Sequence, residues 1–137
     1  MAFLEFKDMR IAGFSAGVPK YVAVNDTVAS KDYAAADFVA TTGVKERRIG
    51  DFTTSDLCYE AAERLLSDLQ WRKEEVGALI FVSQTADYIL PATACILQDR
   101  LGLSKECYAL DVALGCSGWV YGLSVIAGLL SKEGITK

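Results

Sequence analysis

Apolar and polar positions alternate along the chain in blocks that suggest strand, helix, strand, helix. Met9–Ala16 reads as a first strand, closed by Gly17-Val18-Pro19, and Tyr21–Val24 is short and β-prone. Asn25 or Asp26 suits the cap of a helix that runs in one or two pieces to about Thr41, with Gly43 ending it. Thr53-x-x-Asp56 has the form of a capping box, with Asp for the usual Glu. Behind it Cys58, Ala61, Ala62, Leu65 and Leu69 share one helical face. Ala78–Val82 is a continuous apolar run, the pattern of a strand buried on both faces. Pro91 suits the first turn of the next helix and Gly102 its end. Cys107–Val112 is a second buried strand, followed by a turn at Gly115-Cys116-Ser117-Gly118. A last helix then runs to about Lys132, with Val120, Leu123, Ala127 and Leu130 along one seam.

Strands that alternate with helices predict an α/β fold: a mostly parallel sheet with helices on both faces. No interdomain linker, low-complexity tract or short repeat interrupts residues 1–137, so they read as one domain. The chain stops at Gly134-Ile135-Thr136-Lys137, where another strand is due, and so reads as truncated.

Composition narrows the picture. Hydrophobic residues make up 52% of the 137 residues, and mean hydropathy is +0.24. That exceeds the apolar share of an average soluble domain, so some apolar surface is left for another chain or another part of this one. Net charge is −4, from 14 basic and 18 acidic residues, with no basic run; a nucleic-acid partner is not expected. Val112 to Ser131 has no charged residue, and Gly118-x-x-x-Gly122 matches a membrane-helix pairing motif. Four glycines and three serines dilute that stretch, and it divides into strand, turn and helix, so a buried central helix is the preferred reading and no membrane partner is expected. Charges are mixed into the first ten residues, unlike a signal peptide. The cysteines Cys58, Cys95, Cys107 and Cys116 have no Cys-x-x-Cys spacing, and there is no histidine to complete a zinc set. Reduced thiols in the cytoplasm follow as the expectation.

Cys116 differs from the other cysteines by position. It follows a buried strand and opens an apolar helix, whose free N–H groups and partial positive charge favour a thiolate. Such a thiolate suits thioester chemistry, and its own N–H could help to hold an oxyanion. Gly115 and Gly118 allow close approach. A buried structural cysteine is the competing reading.

Three segments bear on that choice. Asp111-Val-Ala-Leu-Gly-Cys116-Ser-Gly-Trp resembles the nucleophile segment of the β-ketoacyl-ACP synthase III family. Thr42-Gly-Val-Lys-Glu-Arg-Arg-Ile49 resembles that family's Thr-Gly-Ile-Arg-Glu-Arg segment. Pro91-Ala-Thr-Ala-Cys-Ile-Leu-Gln98, followed by Leu101-Gly102, resembles the helix before the nucleophile strand. The segments occur in family order and spacing, and looser similarity reaches back to Arg10. The resemblance implies the amino-terminal portion of a thiolase fold made of two similar halves. It implies that Cys116 takes an acyl group from acyl-CoA or another acyl thioester, for condensation with malonyl-ACP as carbon dioxide leaves. Acyl carrier protein and a second copy of the chain are the implied partners, and no cofactor is called for. The histidine and asparagine that assist decarboxylation belong to the family's second half; this chain has no histidine, and its one asparagine, Asn25, sits at a helix start and reads as a cap. The chain alone is therefore expected not to condense.

Other positions follow from the same resemblance. Where family members often carry a Trp and an Arg that hold the CoA adenine, this chain has Asp37 and Thr41, and Asp37 would repel phosphate. Leu90 matches the position from which one subunit of the family dimer reaches into its partner's acyl pocket; a local core or staple contact is the alternative. Cys58, Cys95 and Cys107 read as structural, and Arg47 and Arg48 as partners of acids within the fold. HMG-CoA synthase-like and polyketide-type condensing enzymes share the fold, and a non-catalytic, self-associating fragment is the reading from a different class.

Overall fold

The computed structural model describes residues 3–25, 35–132 and 134–137. They form two compact units, Val18–Phe52 and the remainder, Met1–Gly17 with Thr53–Lys137.

The smaller unit holds strand β1 (Tyr21–Val24), helix α1 (Ala35–Thr42) and strand β2 (Glu46–Ile49). β1 and β2 pair antiparallel, Tyr21 opposite Ile49 and Val24 opposite Glu46. Gly43 follows α1 at φ +72°, where its N–H bonds Val39 O at 2.8 Å. β2 falls inside the Thr42–Ile49 segment, which carries a motif but no strand pattern, being exposed throughout. Asn25 is almost fully buried and ties the unit together: its amide donates to Val44 O at 2.9 Å and accepts from Arg47. The helix that Asn25 or Asp26 would cap begins outside the described residues, so what is seen of Asn25 is this bridging role. Among the described residues Arg47 donates to Asn25 and Arg48 to the Lys20 carbonyl, the latter at 3.3 Å, and neither meets an acid.

The larger unit contains helix α2 (Thr54–Leu69), strand β3 (Ala78–Val82), helix α3 (Thr93–Leu101), strand β4 (Tyr108–Val112) and helix α4 (Gly118–Leu130). The capping box forms as the residues require: Asp56 N–H donates to Thr53 Oγ1 and Thr53 N–H to Asp56 Oδ2, both at 3.2 Å. α3 ends at Gly102 (φ +66°), whose N–H bonds Asp99 and Gln98 carbonyls. β3 and β4 pair in parallel from Ala78–Tyr108 to Val82–Val112, so β3–α3–β4 is a βαβ crossover.

Side chains of β3 alternate between two layers, as the period of a strand demands. Leu79 and Phe81 pack towards α2 and α3, with Ala94, Leu97, Leu101, Cys58 and Tyr59. Ile80 and Val82 face α4, lining a cavity of about 270 Å³ with Trp119, Gly122, Leu123 and Ile126. Helices thus lie on both faces of the parallel pair. The α4 contact is close because α4 presents glycine: a Cβ on Gly118 would stand 2.5 Å from Val82 Cγ1, and one on Gly122 2.8 Å from Val82 Cγ2. The Gly118-x-x-x-Gly122 pair seats a helix on a strand, and no described helix is long and apolar enough to cross a membrane.

Three expectations are corrected. Met9–Ala16 forms no strand, since among the described residues no ladder reaches it. β3 and β4 are mostly half-buried, Phe81 alone falling below a tenth exposed, because two strands offer too little cover. α4 is not a buried central helix: only Gly118 and Gly122 are buried, while Trp119, Val120 and Tyr121 are more than half exposed. The seam of Val120, Leu123, Ala127 and Leu130 instead lines a groove of about 290 Å³ with Leu4, Phe6 and Met9.

Candidate active site

Cys116 lies on the turn between β4 and α4. Leu114 N–H bonds Val112 O at 3.0 Å as the strand ends, and Gly118 N–H bonds Gly115 O at 2.8 Å, closing the turn around the cysteine. Ser117 then receives the first helical bonds, from Val120 and Tyr121 N–H. Among the described residues the N–H groups of Cys116 and Ser117 have no acceptor. The thiol itself is exposed. A cysteine exposed beside N–H groups that have no acceptor among the described residues is open to an electrophile and has a hydrogen-bond donor within its own turn.

Two neighbours that the pattern did not single out shape this turn. The Gln84 side chain, just past β3, lies flat against Gly115: a Cβ there would meet its Cδ at 3.0 Å and both amide heteroatoms at 3.1 Å. Asp111 on β4 accepts from Thr93 and Ala94 N–H, each at 2.7 Å, capping α3 with a carboxylate borrowed from the strand that leads to Cys116. An acid inside an apolar strand was the available signal; the helix start it caps lies 18 residues back along the chain.

The other cysteines divide. Burial pushes the Cys58 thiol up, with a smaller push from the Asp87 charge, and burial alone raises Cys107. Both pack against the α2–α3 core, as expected. Cys95 does not: it stands exposed on the solvent face of α3, because Ala94 and Leu97 take the inward positions.

Asp37 and Thr41 are exposed on α1, within the smaller unit. Leu90 is 82% exposed, at the end of the loop from β3 to α3, with Ile89 at 98% beside it. The core or staple alternative for Leu90 has no support, since so little of the side chain is covered. The described residues hold no cluster of His, Cys, Asp and Glu fit for a metal.

No protein-family model matches the chain. A β-ketoacyl-[acyl-carrier-protein] synthase III from Xylella fastidiosa is 41% identical over 126 residues, 90% of this chain and 39% of that protein. One from Desulfitobacterium hafniense is 36% identical over 88% of the chain and 37% of its own length. This stretch of chain is homologous to the β-ketoacyl-ACP synthase III family. The fold agrees: 3-oxoacyl-(acyl-carrier protein) synthase from Burkholderia xenovorans superposes with a TM-score of 0.83 at 41% identity, over 92% of this chain and 37% of that one. OleA from Xanthomonas campestris superposes at 0.82 with 26% identity, over 95% and 41%. The architecture is thus that of the thiolase-fold condensing enzymes. The chain spans about two fifths of the length of its synthase III relatives.

Proposed function

We propose that the chain is the acyl-accepting portion of a β-ketoacyl-ACP synthase III-like acyltransferase of fatty acid biosynthesis, with Cys116 as nucleophile. The observation that carries this reading is an exposed thiol on a strand-to-helix turn with its own N–H free, in a chain homologous to that family. The Cys116 thiolate attacks the carbonyl of an acyl thioester; the tetrahedral oxyanion is met by the Cys116 N–H; the carrier thiolate leaves and takes up a proton. In the whole enzyme, malonyl-ACP then loses carbon dioxide. The resulting enolate carbon bonds to the acyl carbon and the Cys116 sulfur departs. That second step calls for a histidine and a second-half asparagine; with no histidine in its 137 residues, this chain by itself accepts acyl groups and does not condense.

Asp37 and Thr41 stand where an aromatic and a cation would hold CoA, which favours a carrier-bound thioester over acyl-CoA as donor. The protein is cytoplasmic and works as a homodimer, paired through Cys107–Val112 and the Thr85–Leu90 loop, so that Leu90 enters the partner's acyl pocket. Acyl carrier protein is the other partner.

Incubation with acyl-CoA or acyl-ACP, followed by peptide mass spectrometry, tests the assignment. An acyl adduct on Cys116, absent from Cys116→Ser, is expected, and acyl-ACP should label faster. Cys58 and Cys107 should stay unlabelled, since burial keeps both as neutral thiols. Labelling of Cys95 ahead of Cys116 would overturn the nucleophile. No acyl adduct from either donor would favour the non-catalytic, self-associating fragment, which the exposed Trp119, Val120 and Tyr121 also suit.

A further inference from the structure

The loop from β3 to α3 has an apolar tip on a polar base. Tyr88, Ile89 and Leu90 are exposed by 63%, 98% and 82%. Three consecutive large apolar side chains in solvent hold no fixed pose by packing, so whatever fixes them must act from below. Below them, Asp87 accepts from Ser55 twice: from the hydroxyl of Ser55 through Oδ2, and from its backbone N–H through Oδ1 at 3.5 Å. Ser55 is the second residue of α2 and is wholly buried. Arg100 of α3 completes the joint, donating to Ser55 Oγ at 3.2 Å, pairing with Asp56 at 2.9 Å, and lying 4.8 Å from the centre of the Tyr59 ring. A second tether joins Thr54 and Thr85 hydroxyls at 2.8 Å, and Thr85 is braced by Ser83.

We propose that Asp87 is a positioning residue: clamped to the start of α2 through Ser55, it holds the Tyr88–Leu90 tip in the outward pose from which it meets a second copy of the chain. The clamp stands on geometry alone; what the tip meets rests on the homodimer reading above. A carboxylate at a helix start is favoured by the unpaired N–H groups and the helix dipole. A hydrogen bond to a charged group is also stronger than a neutral one, so one side chain suffices to order a short loop. The two carboxylates at this helix start divide the work: Asp56 closes the capping box with Thr53, and Asp87 is left for the loop.

The test uses the whole 137-residue chain with Asp87→Asn, Ser55→Ala, the double variant, and Thr85→Val. The last releases the second tether from an exposed hydroxyl and leaves buried Ser55 intact, should the other variants fold poorly. Chymotryptic cleavage after Tyr88 is timed against cleavage at the other aromatic residues. Each clamp variant should be cut after Tyr88 on the order of tenfold faster or more, with the remaining sites unchanged, and the double variant should be no faster than either single. Thr85→Val should give a smaller increase at the same site. Equal acceleration at every site, or none after Tyr88, would overturn the positioning role. Sedimentation velocity on the same variants reads the partner: weaker self-association in step with faster cleavage supports the whole proposal. A freed loop with unchanged association leaves the clamp standing and removes both the tip and the Thr85–Leu90 part of the dimer reading.

Discussion

The seat of α4 on β3 can be tested with one helix as its own control. Gly122 and Gly128 both lie within α4, and alanine at either position should gain about 0.8–1.0 kcal/mol of helix propensity. Their surroundings differ. Nothing lies within 4 Å of a Cβ at Gly128, whereas one at Gly122 meets Val82 Cγ2 at 2.8 Å. Val82 has no easy retreat, because its χ1 is stiff and its other methyl is the one that crowds Gly118. Overpacking of this kind costs about 1–3 kcal/mol. Gly128→Ala should therefore stabilise the fold by about 1 kcal/mol, and Gly122→Ala should range from neutral to about 2 kcal/mol destabilising. Urea denaturation followed by circular dichroism gives both values, provided the slope is unchanged between variants. The Gly122→Ala cost should vanish in a Val82→Ala background, which removes both methyls. If Gly122→Ala proves as stabilising as Gly128→Ala in the native sequence, α4 does not rest on Val82.

Asp111→Asn should cost about 1.5–3 kcal/mol, because one of two charge-assisted bonds to the α3 start is replaced by an amide facing an N–H; a change in urea midpoint worth less than about 0.5 kcal/mol would remove Asp111 from that role. The pH dependence has a definite sign at Asp56, whose carboxyl is held below its usual 3.8 chiefly by the Thr53 N–H and then by Arg100. Its ionised form favours folding, so that stabilisation is present above the ordinary value and is lost as pH falls below it and through the lowered one. Asp56→Ala should flatten the acid limb of a thermal-stability profile, and an unchanged limb would show that other groups set it.

Local features were readable from residue order because they depend on near neighbours. The Thr53–Asp56 box and the helix stop at Gly102 came out as their residues dictate, and the run Ala78–Val82 forms the strand its residues suggest, though only half-buried. The Cys116 turn did too, since glycines and a serine after an apolar strand leave few other conformations. Features that need a distant partner were not readable. Met9–Ala16 has the pattern of a strand, yet a strand exists only as part of a ladder, and none reaches it among the described residues. β2 has no apolar alternation and still forms, because β1 is there to bond it. The apolar composition of α4 says that it seeks cover and not which side receives it; the two glycines against Val82 decide that, and leave Trp119, Val120 and Tyr121 outside. Likewise, nothing in the order of Ser55, Asp87 and Arg100 joins them. Three elements that fold onto one another bring one buried hydroxyl within reach of both an acid and a guanidinium, and only that meeting turns three ordinary polar residues into a joint.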